Sequence, residues 1–213
     1  MAKVTIITAY YNKEELTLEW LDNLDKNTPL NCEVILVNAG SKPIEHGFIS
    51  KRIDLDHNES FSNSMNAGIR EATGDYIIIM GNDTFPHDPN WVDILINCQK
   101  ETNAMIVAPD TTRPGYKAYS HMIKDGQEYH MLPAICWLLP KSTIDKVGLF
   151  DERFLIGCYE DNDYCKRVQN EEGKIVLCND VIVEHRLSQT MNQFNVGEVM
   201  QTNRRKFYDK WGE

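Results

Sequence analysis

The 213 residues carry 42% apolar side chains, enough to bury the core of one compact α/β domain, and length alone gives no reason to divide the chain. Against 32 acidic residues stand 22 basic ones, a formal charge of −10 that opposes nonspecific attraction to nucleic acid or to an anionic membrane surface. The basic cluster Arg204, Arg205 and Lys206 shares its segment with Glu198 and Asp209 and reads as a solvated helix face.

The chain opens on Val4 to Ala9, an apolar, β-branched run that ends too early for a secretory segment and predicts a strand covered on both faces. Leu16, Trp20 and Leu24, spaced four apart, predict an amphipathic helix after it. Glu33 to Val37 repeats the buried-strand pattern and ends in the turn-forming Asn38, Ala39, Gly40 and Ser41. Phe61, Met65, Ile69 and Ala72 mark a second helix face, with Gly74 as its closing residue, and Tyr76 to Met80 is a third buried strand. Strands separated by crossovers imply a parallel sheet whose ligand crevice lies beyond the strands' C-terminal ends. The turns at Tyr10 to Asn12, Asn38 to Ser41 and Gly81 to Asp83 are therefore expected to converge.

Asp88 followed by Pro89 predicts a helix start leading through Trp91, Leu95 and Cys98 to a fourth strand at Ala104 to Ala108. From Pro109 to Gly126 the composition turns to Thr, Pro, Gly, Tyr and Lys without a period, predicting a mobile loop that divides two halves. Beyond it the pattern predicts a strand around Met131 to Leu139, a short helix begun by Ser142, and a helix from about Asp161 to Glu171 closed by Gly173. Two strands, Ile175 to Cys178 and Val181 to Val183, lead to His185, and Thr190 to Trp211 reads as mostly helical.

No apolar run approaches the roughly 18 to 20 residues that cross a bilayer. The six cysteines lack metal-binding or redox spacing and are expected to be reduced thiols in a cytoplasmic protein, where the two Asn-x-Ser/Thr sites carry no glycan. There is no glycine-rich dinucleotide fingerprint after the first strand and no P-loop, so a bound phosphate group must be met otherwise. A divalent cation, Mn2+ or Mg2+, joined to protein carboxylate and diphosphate oxygens is the usual alternative.

Several stretches in order resemble one family. Val4 to Asn12 looks like an opening strand and T-Y-N turn, Glu33 to Ser41 like a strand ending in D-x-G-S, and Asn66, Ala67, Gly68, Arg70, Gly74 and Asp75 like an N-A-G-x-x-x-A-x-G-D stretch. Tyr76 to Thr84 looks like a strand delivering a D-x-D metal motif. Val147 to Glu152, Tyr159 to Asp163 with Arg167, and His185 with Ser188 look like the acceptor half. The chain thus resembles the inverting family 2 glycosyltransferases of the GT-A fold, in their rhamnosyltransferase-like branch, from residue 3 to about 190. The resemblance implies one α/β domain over 1–213, with a Rossmann-like, mostly parallel sheet and helices on both faces. Residues 1–108 would bind a UDP- or dTDP-linked sugar, and 109–213 would supply the acceptor site and catalytic base.

It also implies roles. Asp83 is the expected metal ligand, although Gly81 replaces the first acid of D-x-D, and His185 is the expected second ligand; the bland alternatives are a turn-forming Asp83 and a satisfied core histidine. Asp161 is the expected base, since a single displacement needs one carboxylate to take the acceptor proton and no covalent nucleophile. Asp163 reads as a cap of the same helix. Donor contacts are expected from Ala9, Tyr10, Tyr11, Asn38, Asn66, Arg70, Gly81, Asn82 and Asp83, and acceptor contacts from Trp137, Glu160 and Asp161. Asn38 stands where the family has an acid. Tyr11 and Trp137 remain open between site and core, and Arg70 between diphosphate and a surface ion pair. Two other classes fit the residues less well: a non-catalytic nucleotide-sugar-binding module, prompted by Gly81, and a nucleotidyltransferase, which lacks a triphosphate loop here.

Overall fold

A computed structural model describes residues 3–29, 31–112, 131–186 and 193–212. Strand β1 (Val4–Tyr10) leads through helix α1 (Glu14–Asn27) to β2 (Glu33–Ala39), and β3 (Lys51–Leu55) through α2 (Phe61–Glu71) to β4 (Tyr76–Met80). A three-residue strand β5 (Thr84–Pro86), α3 (Trp91–Thr102), β6 (Ile106–Thr112), β7 (Cys136–Pro140), α4 (Lys141–Val147), α5 (Glu160–Asn170), β8 (Ile175–His185) and α6 (Val196–Trp211) follow.

All eight strands join one sheet in the order β3-β2-β1-β4-β7-β6-β8-β5. Pairs β1–β2, β1–β4, β2–β3 and β6–β8 are parallel, while β7 and β5 run against their neighbours. Alternation along the strands divides the core in two. Ile6, Leu36, Ile78 and Leu138 face α1 and α3, where Trp20, Leu24, Trp91 and Leu95 are buried. Ile7, Ile35, Ile77 and Leu139 face α2, α4 and α5 through Met65, Ile69, Tyr164 and Val168. Helices thus cover both faces, and strands buried on both sides read as continuous apolar runs.

Several boundaries differ from the sequence expectation. Strands β3 and β5 gave no clear pattern because β3 is a charged, half-exposed edge strand and β5 only three residues long. Helix α3 starts at Trp91, and Asp88 instead accepts a hydrogen bond from the Asn90 amide at 2.8 Å. Strand β6 continues through Pro109 to Thr112, into the expected loop, whose residues 113–126 lie outside the described ones. Strand β7 is shorter than expected, α4 starts one residue before Ser142, and the two last strands are one, β8, whose pairing with β6 shifts register after Pro109.

Gly74 is not a left-handed helix closure; a Cβ there would lie 2.6 Å from the Thr5 amide, so β1 leaves no room for a side chain. At the end of α5 the left-handed residue is Glu172, while the Gly173 amide closes the helix on the Val168 carbonyl at 2.9 Å.

Candidate active site

The chain goes from β1 to β2 on one side and later returns to β4 on the other, so the sheet order reverses at β1. In open α/β sheets that reversal opens a crevice at the C-terminal strand ends, where ligands bind. A cleft of about 260 Å³ lies there, lined by Ala9, Tyr10 and Tyr11 after β1, Ala39 after β2 and Gly81, Asn82 and Asp83 after β4. His185, beside Asp83, and Glu160 and Asp161 also line it. Positions 83 and 161 therefore face one pocket.

The pairing of β5 with the end of β8 builds the first corner. Thr84 is in register with His185, and the Arg186 amide donates to the Asp83 carbonyl at 2.8 Å. This sets Asp83 Oδ1 3.5 Å from His185 Nε2. His185 is only 8% exposed, and its Nδ1 is buried without a hydrogen-bond partner. A carboxylate and an imidazole converging at one corner of a mostly apolar cleft suit a borderline divalent ion, and the pair fits that use. Among the described residues no group of three or more such side chains occurs. Gly81 has a local reason: a Cβ at 81 would lie 2.6 Å from Asp83 Oδ1, so the missing side chain leaves the space that this carboxylate occupies.

The second corner is the start of α5. Glu160 is 7% exposed, and its Oε2 has no hydrogen-bond partner. Burial, reinforced by the neighbouring Asp161 carboxyl, pushes Glu160 well above the usual carboxylate range. Burial also raises Asp161, while backbone amides, among them Asn162 at 2.8 Å, pull it back. Cys158 lines the same cleft; burial, then Glu160 and Asp161, push its thiol up to about 11, so at neutral pH it is protonated and a poor nucleophile. A cleft holding carboxylates but no activated thiol is suited to general-base chemistry.

Four expected site residues turn away. The Asn38 side chain is spent on the Ser41 backbone and on Asp54 Oδ1 at 2.9 Å, leaving Ala39 at the cleft. Asn66 is buried in a reciprocal pair of 2.9 Å bonds with the Phe150 backbone and donates to Glu152, which also pairs with Arg70 at 3.1 Å. Neither lines the cleft, and Arg70 is in the surface ion pair. Trp137 is 0% exposed, packed against Phe150 and Tyr164 in the core. Asn82 does line the cleft but ties it to α1 through Thr17 at 2.9 Å, and the buried Tyr10 bonds the Lys42 carbonyl. Asp163 is no exposed cap: fully buried, it holds Arg167, Lys210 and Trp211. Ser188 lies outside the described residues.

Sequence reasoning missed Phe194, which stacks on Tyr11 at 5.8 Å and 24° at the cleft, because no motif links two residues so far apart. It also missed Ser60 and Ser64. Ser60 caps α2 by accepting from the Asn63 amide, a signal visible beforehand as a serine just before an apolar-periodic run.

Solved structures share this architecture. A mannosyltransferase from Pyrobaculum calidifontis, in complex with GDP-Man and Mn2+, superposes with a TM-score of 0.74 at 14% identity, over 89% of this chain and 58% of that one. TarS from Staphylococcus aureus, in complex with UDP-GlcNAc, does so at 0.70 and 16% identity, over 94% and 65%. The fold is the GT-A glycosyltransferase fold. The family model Glycosyl transferase family 2 matches residues 5–158, and the chain belongs to that family.

Among curated relatives, an uncharacterized glycosyltransferase of Rickettsia bellii is 31% identical over 110 residues, 48% of this chain and 16% of that protein. A poly-beta-1,6-N-acetyl-D-glucosamine synthase of Staphylococcus aureus is 25% identical over 173 residues, 70% of this chain and 42% of that protein. The chain thus spans less than half the length of both. Among the described residues no helix is long and apolar enough to cross a membrane.

Proposed function

We propose that this glycosyltransferase is a metal-dependent, inverting enzyme. It moves a hexose or deoxyhexose, such as glucose or rhamnose, from a UDP- or dTDP-linked donor to a hydroxyl of a glycan. The observation that carries the reading is one cleft at the β1/β4 reversal lined by the paired Asp83 and His185 and by Asp161. Neighbours of this fold solved with GDP-Man and Mn2+ or with UDP-GlcNAc support it.

The donor half, 1–108, holds the nucleotide sugar with Ala9, Tyr10, Tyr11, Gly81, Asn82 and Asp83, and Phe194 joins Tyr11 as a flat apolar surface for the base. Asp83 and His185 would hold Mn2+ or Mg2+, which when bound would supply positive charge to offset that of a departing diphosphate. In the second half, 109–213, Asp161 takes the proton of the acceptor hydroxyl as its oxygen bonds to the anomeric carbon from the face opposite the diphosphate. The bond to the diphosphate oxygen breaks, the electron pair leaves with it, and the configuration inverts. Glu160, whose carboxyl burial pushes above the usual carboxylate range, can in its protonated form donate a hydrogen bond from its free oxygen to an acceptor or sugar hydroxyl. A cytoplasmic setting, with the cysteines free, completes the reading.

Membership of family 2 leaves a nucleotidyltransferase without support. A non-catalytic binding module keeps one observation in its favour, the two-ligand corner beside Gly81.

A thermal-shift panel of nucleoside diphosphates and nucleotide sugars, with and without Mn2+, tests the assignment. Near 100 times Kd the bound donor adds roughly 2.7 kcal/mol, on the order of 5 to 10 °C for a chain this size. A Mn2+-dependent shift by UDP or dTDP compounds, followed by formation of the inverted anomer in NMR, is expected. Binding without transfer or hydrolysis selects the module, and no shift with any nucleotide sugar removes the assignment.

A further inference from the structure

Five residues, Leu155 to Tyr159, of which Ile156, Gly157 and Cys158 line the cleft, immediately precede the carboxylate pair Glu160 and Asp161, and their backbone is unusual. Ile156, Cys158 and Tyr159 have φ of 62°, 76° and 72°. None is glycine, and a β-branched residue in the left-handed region is a genuine outlier. Such conformations persist only where the surroundings over-determine them.

Two elements hold this segment. On one side it forms a bridge to the start of α2: the Ile156 amide donates to the Glu59 carbonyl at 3.1 Å, and the Phe61 amide to the Ile156 carbonyl at 2.7 Å. On the other side a single side chain of α6 reaches in. Asn203 is 0% exposed; its Oδ1 accepts the Leu155 amide at 3.2 Å. Its Nδ2 faces the carbonyls of Leu155, Gly157 and Cys158 at 2.9, 2.8 and 3.0 Å. One turn further along α6, Phe207 packs on the Tyr159 ring at 5.6 Å.

In this turn, left-handed at Ile156, Cys158 and Tyr159, the carbonyls of Leu155, Gly157 and Cys158 point inward, and they need one compact donor between them. The amide of Asn203 is that donor, and it also satisfies the one inward amide. We propose that Asn203 is a positioning residue of the active site: it locks the strained turn whose end sets the direction in which Asp161 enters the cleft. The proposal rests on the reading of Asp161 as the base. It assigns part of the active site to the C-terminal helix, beyond the residues that the family match covers.

The test uses the full chain with Asn203→Ala and the milder Asn203→Ser, which puts one hydroxyl where the amide was. Hydrogen exchange resolved by segment, kcat and donor Kd are measured. In Asn203→Ala, exchange across Leu155 to Asp161 rises about tenfold or more while the β1 and β4 amides stay as protected as in the wild type. At the same time kcat falls about tenfold or more with donor Kd within about twofold, and Asn203→Ser lies between. If the alanine variant does not fold, the same directions are required of the serine variant. Unchanged exchange in the segment, uniform loosening of the whole chain, or a loosened segment with wild-type kcat each overturns the proposal. Failure of the underlying reading shows separately, as wild-type turnover by Asp161→Asn whatever the Asn203 variants do.

Discussion

Asp83 and His185 stand 3.5 Å apart although neither is near the other in the chain; three residues of β5, paired with the end of β8, bring them together. Among the described residues no third acidic or imidazole side chain joins the pair, so each half carries a large share of the cation affinity these residues can supply. His185→Ala is expected to weaken the Mn2+-dependent rise in Tm with nucleotide present by about tenfold or more in metal concentration, and Asp83→Asn to abolish it. A metal titration followed by thermal shift reads both. An unchanged midpoint in both variants moves the metal elsewhere.

Asp161→Asn keeps the size of the side chain and one acceptor oxygen but cannot accept a proton as a base. Turnover is expected to fall by roughly 10² to 10⁴ with donor affinity retained. Because burial raises the Asp161 carboxyl above its ordinary value, the acid limb of the wild-type kcat profile should lie at higher pH than for a solvated aspartate. Activity is lost as pH falls through that raised value, and the limb is absent from the residual rate of the variant.

Glu160 makes a prediction about stability. Its folded-state pKa is raised, so relative to the unfolded chain its contribution is fully present below the unfolded value and is lost as pH rises through the folded one. Glu160→Gln cannot ionise. It should match the wild type in urea unfolding at acid pH and become the more stable of the two, by about 1 kcal/mol or more, once the wild-type carboxyl is forced to charge. A gap that closes instead of opening with rising pH would contradict the burial argument.

Gly81→Ala puts a methyl against the Asp83 carboxylate, the flexible end of a side chain, so folding should cost less than about 1 kcal/mol. The carboxylate must move, however, and Mn2+-dependent nucleotide binding should weaken about tenfold. Calorimetry of the nucleotide with and without Mn2+ distinguishes this from a general loss of affinity.

Arg70→Ala and Asn66→Ala separate scaffold from site. The Arg70 ion pair with Glu152 is half exposed, so its loss should cost under about 1 kcal/mol and leave donor Kd unchanged. Asn66 is buried and bonded in both directions to Phe150; removing it strands a buried amide and carbonyl, for about 2 kcal/mol measured by urea unfolding.

The amino-acid sequence by itself determined the core strands and their helices, because burial on both faces of a parallel sheet writes itself locally as β-branched runs and helix-period apolar faces. It also located two corners of the cleft, the Gly81 to Asp83 turn and the Glu160 to Asp161 helix start, since chain order and the reversal at β1 place strand ends together. Tertiary structure alone decided which polar side chains look into that cleft. Asn38, Asn66, Arg70 and Trp137 sit in motif-like stretches but found partners elsewhere in the chain, and a side chain already paired or buried has nothing left to offer a ligand. Phe194 and Asn203 came to the site from the C-terminal segment, and in the turn before Glu160 the non-glycine residues Ile156, Cys158 and Tyr159 became left-handed because distant hydrogen bonds outweigh local preference. Periodicity records where a residue lies relative to its neighbours in the chain; what it touches across the fold depends on partners that no short stretch contains.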